Sequence, residues 1–261
     1  MILDELAAYA RLRVEQAKQQ IDFETIKQQA LQLPKGSFRL EQTVSKPGVS
    51  FICEVKKASP SKGIIAKDFP YIQIAKDYEA AGADAISVLT EPKWFLGSDQ
   101  YLKEIRQAVS LPILRKDFTV DAYQIYEAKL LGADAVLLIC AILDTQTIHD
   151  YLKICDDLGL SAIVEAHDEQ EIASAIEAGA RIIGVNNRNL KNFTVNFQNC
   201  TNLRKCIPDS ILFVAESGVK TAQDVHSIAQ SGANAILIGE TLMRSSQKSA
   251  LLNEFRIASN I

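Results

Sequence analysis

AGADAISVLTE, residues 81–91, passes within a few positions from a small-residue turn into a short run of Ile, Val and Leu. Gly82 permits the left-handed turn that ends a helix, and its small neighbours let the chain enter a buried strand. The same phrase returns as LGADAV (131–136), AGARII (178–183) and SGANAI (231–236). The copies lie about fifty residues apart, the length of two strand–helix units. Repetition on this scale predicts a repeat architecture rather than a chance likeness.

Outward from these phrases, the strand candidates are SFICEVK (50–56), AISVLTE (85–91), PILRKDF (112–118), AVLLIC (135–140), SAIVEAH (161–167), RIIGVNN (181–187), ILFVAES (211–217) and AILIGET (235–241). Runs this short and this rich in Ile, Val and Leu suit strands buried on both faces, as in a parallel sheet. The intervening segments have helical character. In DFPYIQIAKDYEAAGAD (68–84), Tyr71, Ile74, Ala75 and Tyr78 keep one stripe. Eight strands with helical crossovers predict an α/β fold, a (β/α)8 TIM barrel, with residues 1–261 forming one domain. Residues 1–47 stand outside that scheme. LDELAAYARLRVEQAKQQ (3–20) and FETIKQQALQL (23–33) read as two helices that end before Pro34 and Gly36. They are expected to lie across the barrel as an N-terminal helical extension of about 45 residues.

Composition supports an ordinary globular enzyme: 48% of the 261 residues are apolar, enough for a large core. The formal charge is −4, from 28 basic and 32 acidic residues, and no basic stripe stands out, which argues against nucleic acid as a partner. Cys53, Cys140, Cys155, Cys200 and Cys206 are odd in number and form no CxxC pair, so neither a disulfide framework nor a cysteine zinc site is expected. The first residues carry no signal-peptide pattern and no run reaches the length of a membrane span. The expectation is a cytoplasmic protein with no membrane partner.

In such barrels, catalytic groups collect at the carboxyl ends of the strands. Alternation in the first strand turns Phe51, Cys53 and Val55 to one side and Ile52, Glu54 and Lys56 to the other, so Glu54 and Lys56 point into the mouth. They form either a satisfied internal ion pair or part of a catalytic set; Lys57, turned away, reads as solvated. Leu114, Lys116 and Phe118 share a face, as do Ile163, Glu165 and His167, and Gly184, Asn186 and Arg188. An inward lysine is costly without a partner or a task. His167 lies further out and reads as a surface or capping residue, and His149 and His226 read as surface residues of helices. The seventh and eighth strands end in AESGV and IGET, where Gly218 and Gly239 allow close backbone approach and Ser217 and Thr241 offer hydroxyls to a phosphate. Trp94, Phe95 and Phe118 could form an aromatic wall for a flat ligand. There is no Walker A loop, no GxGxxG after a strand, no metal-ligand spacing and no Ser-His-Asp arrangement. The expected chemistry is acid/base work by Lys and Glu, without cofactor or metal.

EVKKASPSKG (54–63), LRKDF (114–118), IVEAH (163–167), GVNNRNL (184–190), AESGV (215–219) and IGETLMR (238–244) resemble, in order and position, the motifs of the indole-3-glycerol-phosphate synthase family. The likeness spans about residues 50–245, and Thr241 stands where the family often has Ser. It implies conversion of 1-(2-carboxyphenylamino)-1-deoxy-D-ribulose 5-phosphate to indole-3-glycerol phosphate, CO2 and water, in tryptophan biosynthesis. By resemblance Lys116 is the acid that protonates the ketone, Glu165 its acid/base partner, Glu54 a positioning or deprotonating group, and Asn186 a holder of a hydroxyl or carboxylate. Lys56 is assigned to phosphate or hydroxyl contact and to the dehydration step. Ser59, Phe95, Phe118, Leu138, Arg188, Glu216 and Leu237 are assigned to the substrate, and Ser217, Gly218, Gly239, Glu240 and Thr241, with Lys56, to its phosphate. The partner implied is a small phosphorylated molecule; association with other enzymes of the pathway is left open. The alternatives are a phosphoribosylanthranilate isomerase-like barrel, a Schiff-base aldolase, or a non-catalytic barrel subunit.

Overall fold

The computed structural model describes residues 2–188, 194–196 and 198–260. Asn189 and Leu190, the end of the GVNNRNL motif, lie outside them. Eight strands form a closed parallel barrel in which each pairs with its neighbours in chain order: β1 Ser50–Val55, β2 Ala85–Leu89, β3 Ile113–Lys116, β4 Ala135–Ile139, β5 Ser161–Ala166, β6 Ile182–Asn186, β7 Leu212–Glu216 and β8 Ala235–Ile238. Helices fill the gaps between successive strands, as the spacing of the repeated phrase requires: after the three helices that precede β1, α4 Tyr71–Ala80, α5 Asp99–Ala108, α6 Tyr123–Leu131, α7 Thr145–Leu158, α8 Glu169–Ala178, α9 Gln198–Arg204 and α10 Ala222–Gln230. The glycines of its four copies, Gly82, Gly132, Gly179 and Gly232, all have positive φ, between 83° and 94°. The polar residue two positions later ties adjacent strands together. Asp84, Asp134 and Asn234 accept a backbone N–H near the start of β1, β3 and β7, from Phe51, Ile113 and Phe213, at 2.8–2.9 Å.

Alternation sorts the strand residues as expected. Phe51, Cys53 and Val55 join the large cluster between barrel and helices, while Ile52, Leu114, Leu137, Ile163, Val214 and Leu237 fill the barrel itself. The inner cluster is closed at both ends by helices that precede β1. Helix α1 (Ile2–Gln20) contributes Leu3, Leu6 and Ala10 at the mouth, and α3 (Arg39–Val44) contributes Leu40 and Val44 at the floor. The Arg13 guanidinium of α1 donates to both oxygens of Asp117, just past β3, and Lys18 donates to Asp121 at 2.8 Å. Helix α2 (Phe23–Gln32) lies outside, its Phe23 ring edge-on to Tyr126 of the helix after β3 at 5.7 Å.

The sequence reading expected two helices here, and there are three. A six-residue helix such as α3 is too short to show a period and gains too few hydrogen bonds to nucleate alone. It forms because Leu40 and Val44, both fully buried, plug the floor, and because the Glu41 N–H donates to Ser161 Oγ at 3.0 Å.

The buried charged side chains among the described residues are Glu54, Glu91, Arg115, Asp117, Glu165 and Glu216. All lie at the carboxyl ends of β1, β2, β3, β5 and β7. Burying charge is costly unless it is paired, so this concentration marks the end of the barrel where chemistry is built.

Candidate active site

A cavity of about 600 Å³ opens at that end, within the usual size of a small-ligand site. Its wall gathers Glu54, Lys56 and Ser59 from the first strand and the loop beyond it, Lys116 and Phe118 from the third, and Phe95 from the loop after β2. Glu165, Asn186 and Arg188 come from the fifth and sixth strand ends, and Glu216, Ser217, Gly218, Leu237, Gly239, Glu240 and Thr241 from the last two. Residues more than 180 positions apart thus meet because eight parallel strands deliver their last residues to one ring.

Leu138, expected at the substrate, is a correction. It is fully buried in the layer between barrel and helices, and its neighbours Leu137 and Ile139 face the cavity instead. Strand alternation makes Leu137 and Ile139 the inward pair. Trp94 also departs from the expected aromatic wall. Its ring meets Tyr9 of α1 edge-on at 5.5 Å, under the Lys93 ammonium at 4.2 Å, while Phe95 and Phe118 remain together at 6.1 Å beside the cavity.

Lys116 sits at the centre of the charged groups. Its ammonium donates to Glu165 Oε2 at 2.9 Å and stands 3.3 Å from Glu216 Oε2. Burial alone would lower its pKa and is the largest influence, but the carboxylates of Glu165, Glu216 and Glu54 outweigh it and hold the ammonium protonated above the usual lysine range. Such a lysine is a proton donor and a poor nucleophile, which disfavours the Schiff-base reading.

The two carboxyl groups beside it part company. Burial opposes ionisation of Glu165, yet the Lys116 charge, the His167 ring and hydrogen bonds from Lys116 and Asn186 (Nδ2 to Oε1, 3.2 Å) hold it below the usual carboxylate range. Glu216 goes the other way. Burial pushes it up, the Lys116 charge opposes, and the neighbouring charges of Glu165 and Glu54 push it further up. Its Oε1 is buried without a hydrogen-bond partner among the described residues. Two carboxyl groups with opposed affinities for a proton around one ammonium are the arrangement acid/base catalysis uses.

At β1, Lys56 Nζ and Glu54 Oε1 pair at 2.5 Å. Gly239 makes room for this pair, since a Cβ there would run into Glu54 Oε1 and Lys56 Nζ. Gly184 does the same for Glu216, because a Cβ would overlap its Oε1 and Ile163 Cγ2. Gly184→Ala is therefore expected to displace the Glu216 carboxyl, lowering kcat by roughly tenfold to a hundredfold and stability by about 1–3 kcal/mol. Paired activity and thermal-melting measurements check this; wild-type values for both would show that the wall gives way freely. Further round the ring, Ser217 (φ 65°) and Gly218 (φ 92°) form a left-handed pair at the end of β7, and the Thr241 hydroxyl donates to Val219 O. The Glu240 carboxylate is held by Arg244 at 3.0 Å, so only its backbone is suited to an anion. Arg188 donates to Ser61 Oγ at 3.3 Å, drawing the loop after β1 over the cavity.

Three parts of the site escaped the sequence reading. Glu91 is fully buried and accepts the backbone N–H groups of Lys93, Trp94 and Phe95 at 2.8–2.9 Å, shaping the loop that presents Phe95. Asp117, between Lys116 and Phe118, ties that strand end to Arg13 and accepts the Thr90 hydroxyl at 2.6 Å. His167 is not a surface residue, as taken up below. His149 and His226 are half-buried and bind the backbone oxygens of Ala178 and Ala258, at the ends of neighbouring helices. For Glu91 the sequence offers only a carboxylate placed before Pro92 at the end of a strand run; the others depend on packing.

Fold and site together define a (β/α)8 barrel whose buried carboxyl groups surround a lysine at the strand ends, the layout of a barrel enzyme. Solved structures show the same fold at low identity: 3-hexulose-6-phosphate synthase from Salmonella typhimurium (TM-score 0.65, 15% identity, 80% of this chain and 98% of that one) and thiamine phosphate pyrophosphorylase from Pyrococcus furiosus (0.60, 14%, 84% and 97%). The family model described as indole-3-glycerol phosphate synthase matches residues 3–255, and the chain belongs to that family. It is 60% identical over 257 residues to the indole-3-glycerol phosphate synthase of Ruminiclostridium cellulolyticum, covering 98% of this chain and 99% of the relative. It is 52% identical to that of Endomicrobium trichonymphae, covering 98% and 100%.

Proposed function

We propose that the chain catalyses the reaction for which its family is named. It closes the pyrrole ring of 1-(2-carboxyphenylamino)-1-deoxy-D-ribulose 5-phosphate and releases CO2 and water to form indole-3-glycerol phosphate, in tryptophan biosynthesis. The observation that carries this reading is the Lys116 ammonium, 2.9 Å from Glu165 and 3.3 Å from Glu216, in a cavity that also holds the glycine-bearing ends of β7 and β8.

Lys116 gives its proton to the substrate ketone as the ring carbon attacks. The resulting iminium-like intermediate serves as the electron sink for loss of CO2, so the substrate supplies what a cofactor otherwise would. Glu165 takes part in the proton transfers around Lys116, and Asn186 holds the substrate while it orients Glu165. Lys56, set by Glu54, binds phosphate or hydroxyl and serves the dehydration. Phe95, Phe118 and Leu237 grip the carboxyphenyl ring, with Ser59, Arg188 and Glu216 framing it. Ser217, Gly218, Gly239 and Thr241, with the Glu240 backbone, hold the phosphate.

Residues 1–47 act as a helical extension packed on the barrel, the whole chain working as one domain. No described helix is long and apolar enough to cross a membrane; the cytoplasm is the proposed location, with other enzymes of the pathway as partners.

Incubating purified protein with the carboxyphenylamino-deoxyribulose phosphate and following the fluorescence of the indole product tests the reading. Turnover without added cofactor is expected. Its absence in folded protein would overturn the assignment.

A further inference from the structure

Behind Glu165, on the side away from Lys116, lies a histidine with carboxylates at both ring nitrogens. His167 Nδ1 is hydrogen-bonded to Glu171 Oε2 at 3.1 Å, and Nε2, buried and without a hydrogen bond among the described residues, stands at ion-pair distance, 3.4 Å, from Glu165 Oε1. Glu171 is in the first turn of α8 (Glu169–Ala178), whose N-cap is Asp168. The same Glu171 oxygen accepts the His167 backbone N–H at 2.7 Å, which locks it as an acceptor. A neutral imidazole has one donor and one acceptor nitrogen, so it would turn a lone pair toward one carboxylate. Only the imidazolium turns a proton and positive charge toward both, as a hydrogen bond to Glu171 and an ion pair with Glu165. The side chain is 17% exposed, so these charges are weakly screened.

We propose that His167 is a positioning residue for the reaction, an imidazolium clamped by Glu171 that holds Glu165 Oε1 and leaves Oε2 facing Lys116. This rests on the role proposed above for Glu165. The groups facing the ring are Glu165 from β5, Glu171 from α8 and Glu216 from β7. The Cys140 thiol, in the turn after β4, is pushed up to about 12 by burial and stays neutral. Asn199, from the helix after β6, is neutral and donates to the His167 carbonyl. The surrounding carboxylates and the Glu171 hydrogen bond outweigh desolvation and raise the imidazole above its usual value. A second cation beside Glu165 keeps that carboxylate ionised to lower pH than Lys116 alone would. A residue serving only to cap α8 would need neither ring nitrogen.

Two measurements test the clamp. The first is kcat, KM and the pH–rate profile of wild type, His167→Asn and Glu171→Gln. Both variants are expected to lose about tenfold in kcat with KM within about twofold, and the acidic limb of the His167→Asn profile is expected to rise by about one pH unit. The second is an NMR titration of the protein's three histidines, with His167 assigned from the variant. Its midpoint is expected above the ordinary histidine value and to fall in Glu171→Gln. Unchanged kcat and pH limb in both variants, or a midpoint at or below the ordinary value, would overturn the proposal. If His167→Asn does not fold, Glu171→Gln and the titration still decide it. Wild-type protein without turnover would count against the proposed reaction alone, since the titration needs no substrate.

Discussion

Lys116→Met is expected to lose roughly 100-fold to 10,000-fold in kcat with a much smaller change in KM. The argument rests on its position. Among the described residues Lys116 alone pairs with two of the buried carboxyl groups, and those groups keep it protonated, so it is the strand-end cation best placed to donate a proton. Removing it also leaves the buried Glu165 with His167 as its remaining cation, at a cost of up to about 3 kcal/mol before the carboxyl groups take up protons. Lys116→Arg separates the two effects. A guanidinium keeps the charge and much of the stability but does not give up a proton. Turnover should therefore be lost in both variants, and stability mainly in the first. Near-normal kcat in a folded Lys116→Met protein would remove Lys116 from the acid step. Near-normal kcat in Lys116→Arg would mean that charge, not proton donation, is what the site requires.

Glu165→Gln should cost a similar 100-fold to 10,000-fold in kcat. The substitution keeps the shape but deletes the anion that Lys116, Asn186 and His167 converge upon. Its pH signature has a definite sign. Glu165 is held below the usual carboxylate range, so it contributes stability that is present above its unfolded pKa and lost as pH falls through the folded one. Glu165→Gln lacks that contribution, and the difference in melting temperature between variant and wild type should narrow on acidification. A gap that widens toward low pH would mean the carboxyl is buried as the acid, with Glu216 the ionised partner. The opposed proton affinities assigned to Glu165 and Glu216 would then have to be exchanged.

Both predictions concern residues that the motifs disclosed. The groups that set their behaviour were less visible. Asp117 is inside the LRKDF motif, yet nothing in five letters tells that it grips Arg13 some hundred positions earlier and so couples α1 to the strand end bearing Lys116. The IVEAH motif contains His167, but its reading as a surface or capping residue followed from counting outward along the strand, and only the capping part, through its N–H to Glu171, fits the structure. The strand ends at Ala166, and the first turn of α8 then brings Glu171 back over the ring. Leu138 failed for the opposite reason: resemblance carried it to the substrate although alternation along AVLLIC already turned it outward.

What the sequence determined by itself was the barrel and the ring of chemistry upon it. Short Ile/Val/Leu runs, a glycine with positive φ before every second strand, and period-two alternation are local, and local geometry obliges Glu54, Lys56, Lys116, Glu165 and Asn186 to face one cavity. What only the tertiary structure decided was the charge each group carries and what holds it there. The proton affinities of Glu165 and Glu216 diverge because burial, the Lys116 cation and the carboxylates of other strands weigh differently on each, and α3 exists because a barrel floor needs a plug. Such effects depend on through-space distance between residues remote in the chain, and electrostatics and packing respond to that distance rather than to spacing along the sequence.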